Sequence, residues 1–271
     1  MKFVINAAQR AKLMERLDPL LRPDANADET AYYPIVSMYY DNADRDCYWE
    51  NIMEQGARKK LRVRVYGSLD GHLPPTSFIE IKHKEDGRGV KRRAQMPYQE
   101  AIRVAQGEWP EGRHINVVDS RTITEVHDLI NRRGFRPVLV MRYDRRAYAA
   151  VDPSTDLRIT FDTGIAYRMR NLNPVPDDRD FLPSDYLYGE DISVLEVKIT
   201  GVVPYWLSRM IPEAGCQMRP HSKYSNALER TDPVVRSMLA PNWRKPLPTN
   251  DTSEIDVVNP LREATPAAVV G

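Results

Sequence analysis

Apolar and polar residues alternate strictly over Lys60–Gly67 and again over Phe78–Glu85. Leu61, Val63 and Val65 share one face of an extended chain, and Arg62, Arg64 and Tyr66 share the other. Ile79 and Ile81 oppose Glu80, Lys82 and Lys84 in the same way. The stretch between them, Gly67–Thr76, is rich in Gly, Pro, Ser and Asp, so it predicts the turn of a hairpin. The two-residue period also predicts strands over Phe3–Ile5, Pro34–Asp41, Val90–Met96, Pro137–Tyr148, Leu157–Asp162 and Ser193–Ile199. Asp152-Pro153-Ser154 turns a second hairpin, and Asp86-Gly87-Arg88-Gly89 is a tight turn into the strand from Val90.

A helical period sets in elsewhere. Asn6 caps a helix over Ala7–Leu21 with Leu13, Leu17, Leu20 and Leu21 as its apolar stripe. Asp44 caps a short helix over Arg45–Gln55 that stops near Gly56. Further helices are expected over Tyr98–Gln106, Asp119–Arg133 with Gly134 as its C-cap, Tyr205–Ile211 and Ser222–Arg230. Arg22–Thr30 is read as a loop, and Leu172–Asp191 as an excursion with no regular period. From Ala240 onward the chain is read as an extended or flexible tail. The fold class is α+β, dominated by β. About eight antiparallel strands suffice to close a barrel, with peripheral helices outside. One domain is expected over residues 1–235 and a Pro-rich tail over 236–271.

Composition narrows the functional classes. The 271 residues are 42% hydrophobic and 28% charged, ordinary for a globular chain with a core. The net charge of +1 gives no bulk case for a nucleic-acid coat or a membrane-surface protein. Cys47 and Cys216 are the only cysteines, which argues against a disulfide framework. No apolar run reaches the ~20 residues of a membrane helix, and the Met1–Asn6 start lacks a signal-peptide core, so a soluble cytoplasmic protein is expected.

The charge is not evenly spread over the strands. Lys2, Arg62, Arg64, Lys82, Lys84, Lys91, Arg93, Arg142, Arg158 and Lys198 fall on polar strand faces, against only Glu80 and Glu196. Any one such strand reads as an exposed sheet face. Together they do not, because like charges on neighbouring strands repel and a face built for solubility interleaves both signs. A polyanion against the face accounts for the bias. With the face turned inward, the sheet encloses a cationic tunnel for a small, densely charged ligand such as a triphosphate or polyphosphate, and not for duplex nucleic acid. Glu196 is either an internal salt bridge with Lys198 or an arginine, or a ligand for Mg²⁺ or Mn²⁺. Glu80 reads the same way. There is no P-loop, no dinucleotide fingerprint and no metal-binding histidine spacing. His83 falls on the apolar side of its strand and reads as structural. Cys47 and Cys216 read as core residues, and the Tyr32-Tyr33 and Tyr39-Tyr40 pairs as ordinary strand aromatics.

The ordered set Leu61-Arg62-Val63-Arg64-Val65-Tyr66-Gly67, Phe78-Ile79-Glu80-Ile81-Lys82, Val90-Lys91-Arg92, Arg142-Tyr143 with Arg158, Leu195-Glu196-Val197-Lys198 and Ser222-Lys223-Tyr224 resembles the VTC domain. That is the polyphosphate polymerase domain of the triphosphate tunnel metalloenzymes, and the resemblance spans about Lys2 to Arg230. It implies an eight-stranded antiparallel tunnel that binds ATP and grows inorganic polyphosphate from the γ-phosphate with Mn²⁺ or Mg²⁺. Carried across by motif, Arg62, Arg64, Lys82, Lys91, Arg142 and Arg158 hold phosphates and Glu196 holds the metal. Lys2 matches the lysine of the first strand, Lys198 lies beside Glu196, and Ser222 and Lys223 open a C-terminal helix at the tunnel. Two positions depart from the family pattern. Met1 directly precedes Lys2 where members carry Arg-x-Glu, and Arg219-Pro220 stands where they carry a further lysine. An inorganic triphosphatase of the same fold and a non-catalytic polyphosphate or nucleotide sensor are the alternative functions.

Overall fold

The structure is a computed structural model that describes residues 1–24, 32–53, 58–66, 77–85, 88–110, 117–219 and 221–239. Its strands are β1 (Lys2–Ile5), β2 (Leu21–Pro23), β3 (Tyr32–Asp41), β4 (Arg58–Tyr66), β5 (Ser77–Glu85), β6 (Arg88–Met96), β7 (Arg136–Ala150), β8 (Leu157–Arg168) and β9 (Ser193–Ile199). Its helices are α1 (Ala7–Leu17), α2 (Asp46–Ile52), α3 (Tyr98–Val104), α4 (Val117–Asn131), α5 (Tyr205–Glu213), α6 (Lys223–Thr231) and α7 (Pro233–Met238). None of these helices is long and apolar enough to cross a membrane. The expected turn at 67–76, the Asp86-Gly87 turn, most of the 22–30 loop, the stop at Gly56 and the tail from Ala240 lie outside the described residues.

One antiparallel sheet carries the fold, in the order β1-β9-β8-β7-β3-β4-β5-β6, with β2 paired to the far end of β7 beyond β3. This eight-strand path matches the expected count, but the expected closure of the barrel is corrected. β1 and β6 are the two edges of an open sheet. The outer edge of β1 is already taken by the segment ahead of α6, since Phe3 bridges Met218 and the Arg219 N–H donates to the Lys2 carbonyl at 3.2 Å.

The apolar face of the sheet points outward and is covered by helices. Val63, Val65, Ile79 and Ile81 lie in one cluster with Ala101 and Val104 of α3 and Ile123 and Val126 of α4. Phe3, Ile5, Ile159, Leu195 and Val197 form a second with Leu13 and Leu17 of α1 and Leu207 and Ile211 of α5. Each such fully buried side chain is worth about 1.5–3 kcal/mol, so burial of this face fixes which way the polar face turns.

Local chemistry explains most boundaries. Asn6 and Gln9 form a reciprocal capping box at α1. Pro19 follows the helix, which ends at Leu17, tightens into a 3₁₀ turn over Asp18–Leu20 and delivers Leu21 into β2, not into further helix. The N-cap of α2 is Arg45, at φ 62, and not Asp44. Asn42 and Asp41 side chains accept from the Asp46 and Cys47 N–H groups instead, at 2.9 and 3.0 Å. β8 continues to Arg168, six residues past its expected end, through an irregularity opposite Arg142 and Asp144. Gly164 sits there at φ 56, in the left-handed region that glycine enters without steric cost.

Candidate functional site

Strand alternation and register together determine what the inner face carries. Arg62 pairs with Tyr39 and Glu80, Arg64 with Ser37 and Phe78, Lys60 with Lys82, and Lys82 with Lys91. On the other half of the sheet Arg145 pairs with Asp162, Thr160 with Glu196, Arg158 with Lys198, and Lys2 with Glu196. The sheet curls so that these two halves face each other. Lys2 on β1 feels the charge of Lys82 on β5, and Lys82 feels Glu196 and Lys198 on β9.

Two buried carboxylates organise the cations. Glu80, 1% exposed, accepts from Arg62 Nε at 2.7 Å and from Arg62 Nη2 at 2.6 Å, binds Lys91 through its other oxygen, and lies 3.8 Å from Arg64. Burial alone raises its pKa, but Arg62, Arg64 and Lys91 outweigh that and bring it down to about 2. Asp162, fully buried, accepts two hydrogen bonds from Arg145 and one from Lys223 at 2.6 Å. Its burial likewise opposes ionisation, and Lys223 and Arg145 hold it far below the usual carboxylate range. Arg64 completes the framework, donating to Ser37 Oγ at 3.2 Å and to Tyr143 Oη at 3.3 Å.

Tyr39 lies between the arginines and α6. It accepts from Arg62 at 3.2 Å and stacks on Tyr224 with ring centroids 5.4 Å apart. Burial raises its phenol, but Arg62, Arg64 and Lys223 overcome this and lower it to about 8. Lys60 beside it is lowered to about 8, first by burial and then by Arg58 and Lys2. Lys2 is lowered by burial with Lys223 and Lys82 adding to it, while Glu196 pulls the other way. A lysine lowered by burial and by like charges is one that an incoming anion restores.

Each residue expected from sequence has a definite place. Arg62, Arg64, Lys82, Lys91, Lys2, Lys198 and Lys223 lie on the inner face or on α6 against it. Ser222 is the N-cap of α6, its Oγ accepting from the Ser225 N–H, so it positions Lys223. Arg158 is held by Asp24 at 2.6 Å and donates to Tyr33 Oη at 3.0 Å at one mouth of the lumen. Glu196 keeps a carboxylate ionised by Lys198, Lys2, Arg145 and Lys223 against the cost of burial. Opposite it, the buried Thr160 hydroxyl has no hydrogen-bond partner among the described residues.

Arg142 stands apart from the set. It shares its face with Asp144, pairing with it at 2.8 Å and with Asp177 at 3.3 Å, while Tyr143 and Arg145 alternate to the inner side. Sequence reasoning missed Arg145, Tyr143, Lys60 and Asp162. The signal was present in the Tyr143-x-Arg145-x-Ala147 alternation, but the run Val138–Met141 is buried on both faces and conveys no phase. His83 lies outside the lumen as expected, 2.9 Å from Glu125, which also binds Lys59 at 2.7 Å and Arg92 at 3.0 Å. Cys47 and Cys216 are both buried.

Comparison with known proteins shows what the chain is similar to. The VTC domain family model matches residues 1–231. Vacuolar transporter chaperone complex subunit 4 of Schizosaccharomyces pombe is 26% identical over 244 residues, which are 77% of this chain and 33% of the relative. The chain thus spans about a third of the length of that curated relative. A solved structure from Bacillus halodurans, described as a candidate adenylate cyclase, superposes over 85% of this chain and 94% of its own, at 12% identity and a TM-score of 0.45.

Proposed function

The chain belongs to the VTC domain family, and from that premise we propose that it is a polyphosphate polymerase acting on ATP inside the cationic lumen. The observation that carries the reading is the gathering of Lys2, Lys60, Lys82 and Lys91 with Arg62 and Arg64 on one face of the curled sheet, where burial first and neighbouring cations second lower Lys2, Lys60 and Lys82, so that a phosphate chain would restore them. A nucleoside triphosphate and a phosphate-chain end lying along the same lumen meet cations on every side.

The proposed step is a direct phosphoryl transfer. A terminal oxygen of the acceptor chain attacks the γ-phosphorus, the bond from that phosphorus to the β-bridging oxygen breaks, and ADP leaves as the chain gains one phosphate. The acceptor oxygen is already ionised, so no protein nucleophile or strong base is required. Arg64, fixed by Ser37 and Tyr143, and Arg145, fixed by Asp162, present donors that need no reorganisation as charge shifts to the leaving group. Lys223, held by Asp162 at the start of α6, adds a further cation on the same side.

A divalent cation, Mg²⁺ or Mn²⁺, fits the residues present. Glu196 is an ionised carboxylate and Thr160 an orphaned hydroxyl beside it, and such ions take most of their remaining ligands from phosphate and water. Glu80 and Asp162 are saturated by cations and are left out of that set. When bound, the ion would neutralise charge on the bridging phosphates. Residues 1–235 are proposed to be the unit that does this, in the cytoplasm, with ATP and polyphosphate as partners.

Incubation with ATP and Mn²⁺ followed by gel electrophoresis tests the proposal. Ladders of lengthening polyphosphate support it. Orthophosphate alone identifies a triphosphatase, and tight triphosphate binding without turnover in any divalent metal identifies a sensor.

A further inference from the structure

The inner face is not cationic along its whole length. At one mouth it changes to aromatic rings, carried by consecutive strands of the curl. Tyr33 of β3 lies 5.9 Å from Tyr66 of β4, and Tyr66 lies 5.6 Å from Phe78 of β5, centroid to centroid. Cations flank the row, with Arg93 of β6 standing 4.5 Å over the Phe78 ring and Arg158 of β8 donating to Tyr33 Oη at 3.0 Å.

Tyr33 and Tyr66 pack against the margin of the core cluster, but none of the three rings is enclosed by it. They alternate with Val65 and Ile79, which are fully buried on the outer side, whereas Tyr33, Tyr66 and Phe78 are each only partly buried. Core aromatics of the same chain, Tyr40 and Tyr48, are 2% and 1% exposed. Nor do the rings serve a phosphate, because the face of an aromatic ring carries negative quadrupole and repels anions. A neutral flat heterocycle gains from the same surface. The next inward residue on β4 after Tyr66 is Arg64, about 7 Å along the strand, which leaves room for a ribose between a stacked base and the first phosphate.

We propose that the Tyr33–Tyr66–Phe78 rim is a nucleobase platform that stacks the base of the triphosphate donor and fixes its direction, nucleoside at this mouth and phosphates toward Arg64, Arg62 and Lys60. This rests on the reading of the lumen as a nucleoside-triphosphate site. Recognition is through the π-face of the base, with Arg93 stacked behind Phe78, so purines bind more tightly than pyrimidines and adenine and guanine are discriminated little.

Calorimetric titration of the full chain with a non-hydrolysable ATP analogue and with inorganic tripolyphosphate separates the platform from the phosphate cradle. The wild-type chain binds the analogue more tightly than tripolyphosphate. Tyr66→Ala and, as an independent variant, Phe78→Ala weaken the analogue roughly ten-fold and leave tripolyphosphate within two-fold, while Tyr66→Phe restores the analogue. An equal loss for both ligands, or no loss for either, overturns the platform, as does a wild-type chain that binds the two ligands equally. Absence of tripolyphosphate binding to the wild-type chain sinks the phosphate lumen itself and the platform with it. Tripolyphosphate binding without a preference for the nucleotide sinks only the platform.

Discussion

Arg145 on β7 and Asp162 on β8 form a two-point ion pair on the inner face, with Nε to Oδ1 at 2.7 Å and Nη2 to Oδ2 at 2.8 Å. Three residues earlier, Arg142 is committed to Asp144 and Asp177 on the other side of the sheet. The two arginines therefore differ in what their loss does. Arg145→Ala lowers the polymerisation rate about 10²-fold or more, since it removes a fixed donor and leaves Asp162 with Lys223 alone. Arg142→Ala keeps tripolyphosphate affinity but lowers stability by about 1–3 kcal/mol. Thermal melts and titrations of both variants check this, and a loss of triphosphate affinity in Arg142→Ala with unchanged melting would return Arg142 to the lumen.

Glu80 has the opposite role, a carboxylate that makes the apo cradle possible. Its pKa in the folded chain, about 2, lies below the ordinary 4.5. The stabilisation is therefore full above about pH 4.5 and is lost as pH falls through 2, and the shift corresponds to about 3 kcal/mol. Glu80→Gln destabilises the ligand-free chain by that order. Saturating tripolyphosphate narrows the gap, because the ligand supplies the missing negative charge to Arg62, Arg64 and Lys91. A destabilisation unchanged by tripolyphosphate would separate Glu80 from the phosphate cradle.

Lys60 and Tyr39, both brought to about 8, make binding sensitive to mildly alkaline pH. Below that value Lys60 is an ammonium and Tyr39 a neutral phenol. Above it the lumen loses a positive charge and gains a negative one, so triphosphate affinity falls as pH rises from 7 to 9. Tyr39→Phe makes the fall shallower without removing it. Equal affinity at pH 7 and pH 9 would show that neither group senses the ligand.

Glu196→Gln separates metal from phosphate. The divalent concentration for half-maximal turnover rises about ten-fold or more, and Mn²⁺ binding measured by electron paramagnetic resonance in the presence of tripolyphosphate weakens in parallel. Metal-free tripolyphosphate affinity is unchanged or rises, because a repelling carboxylate has gone. A variant with unaltered Mn²⁺ binding removes Glu196 from the metal site.

The strands were legible because half-buried strands must alternate. Those over 193–199 and 77–85 fall almost residue for residue where the period puts them. The bias of their polar faces was legible for the same reason. Four kinds of information were not local. β7 is buried on both faces between Val138 and Met141, so the phase that assigns Arg145 and not Arg142 to the lumen depends on its neighbours β3 and β8. Asp162 ends the apolar–polar run of its strand and looks like a turn residue until β8 is seen to continue through Gly164. Tyr33, Tyr39 and Tyr66 have the composition of any strand aromatic, and only the direction of curl turns them into lining. Closure of the barrel was expected from the strand count and from the family resemblance, but occupation of β1's outer edge by Met218 and Arg219 involves residues far along the chain.

That same edge strand sets a schedule for folding. The Val197 N–H donates to the Met1 carbonyl at 2.9 Å, joining positions 196 residues apart. The β4–β5–β6 meander, by contrast, pairs near neighbours and needs only its own hairpins. Local pairs close early and distant ones late, so the half of the lumen that carries Arg62, Arg64 and Lys82 is set to form before β1 finds its partner β9.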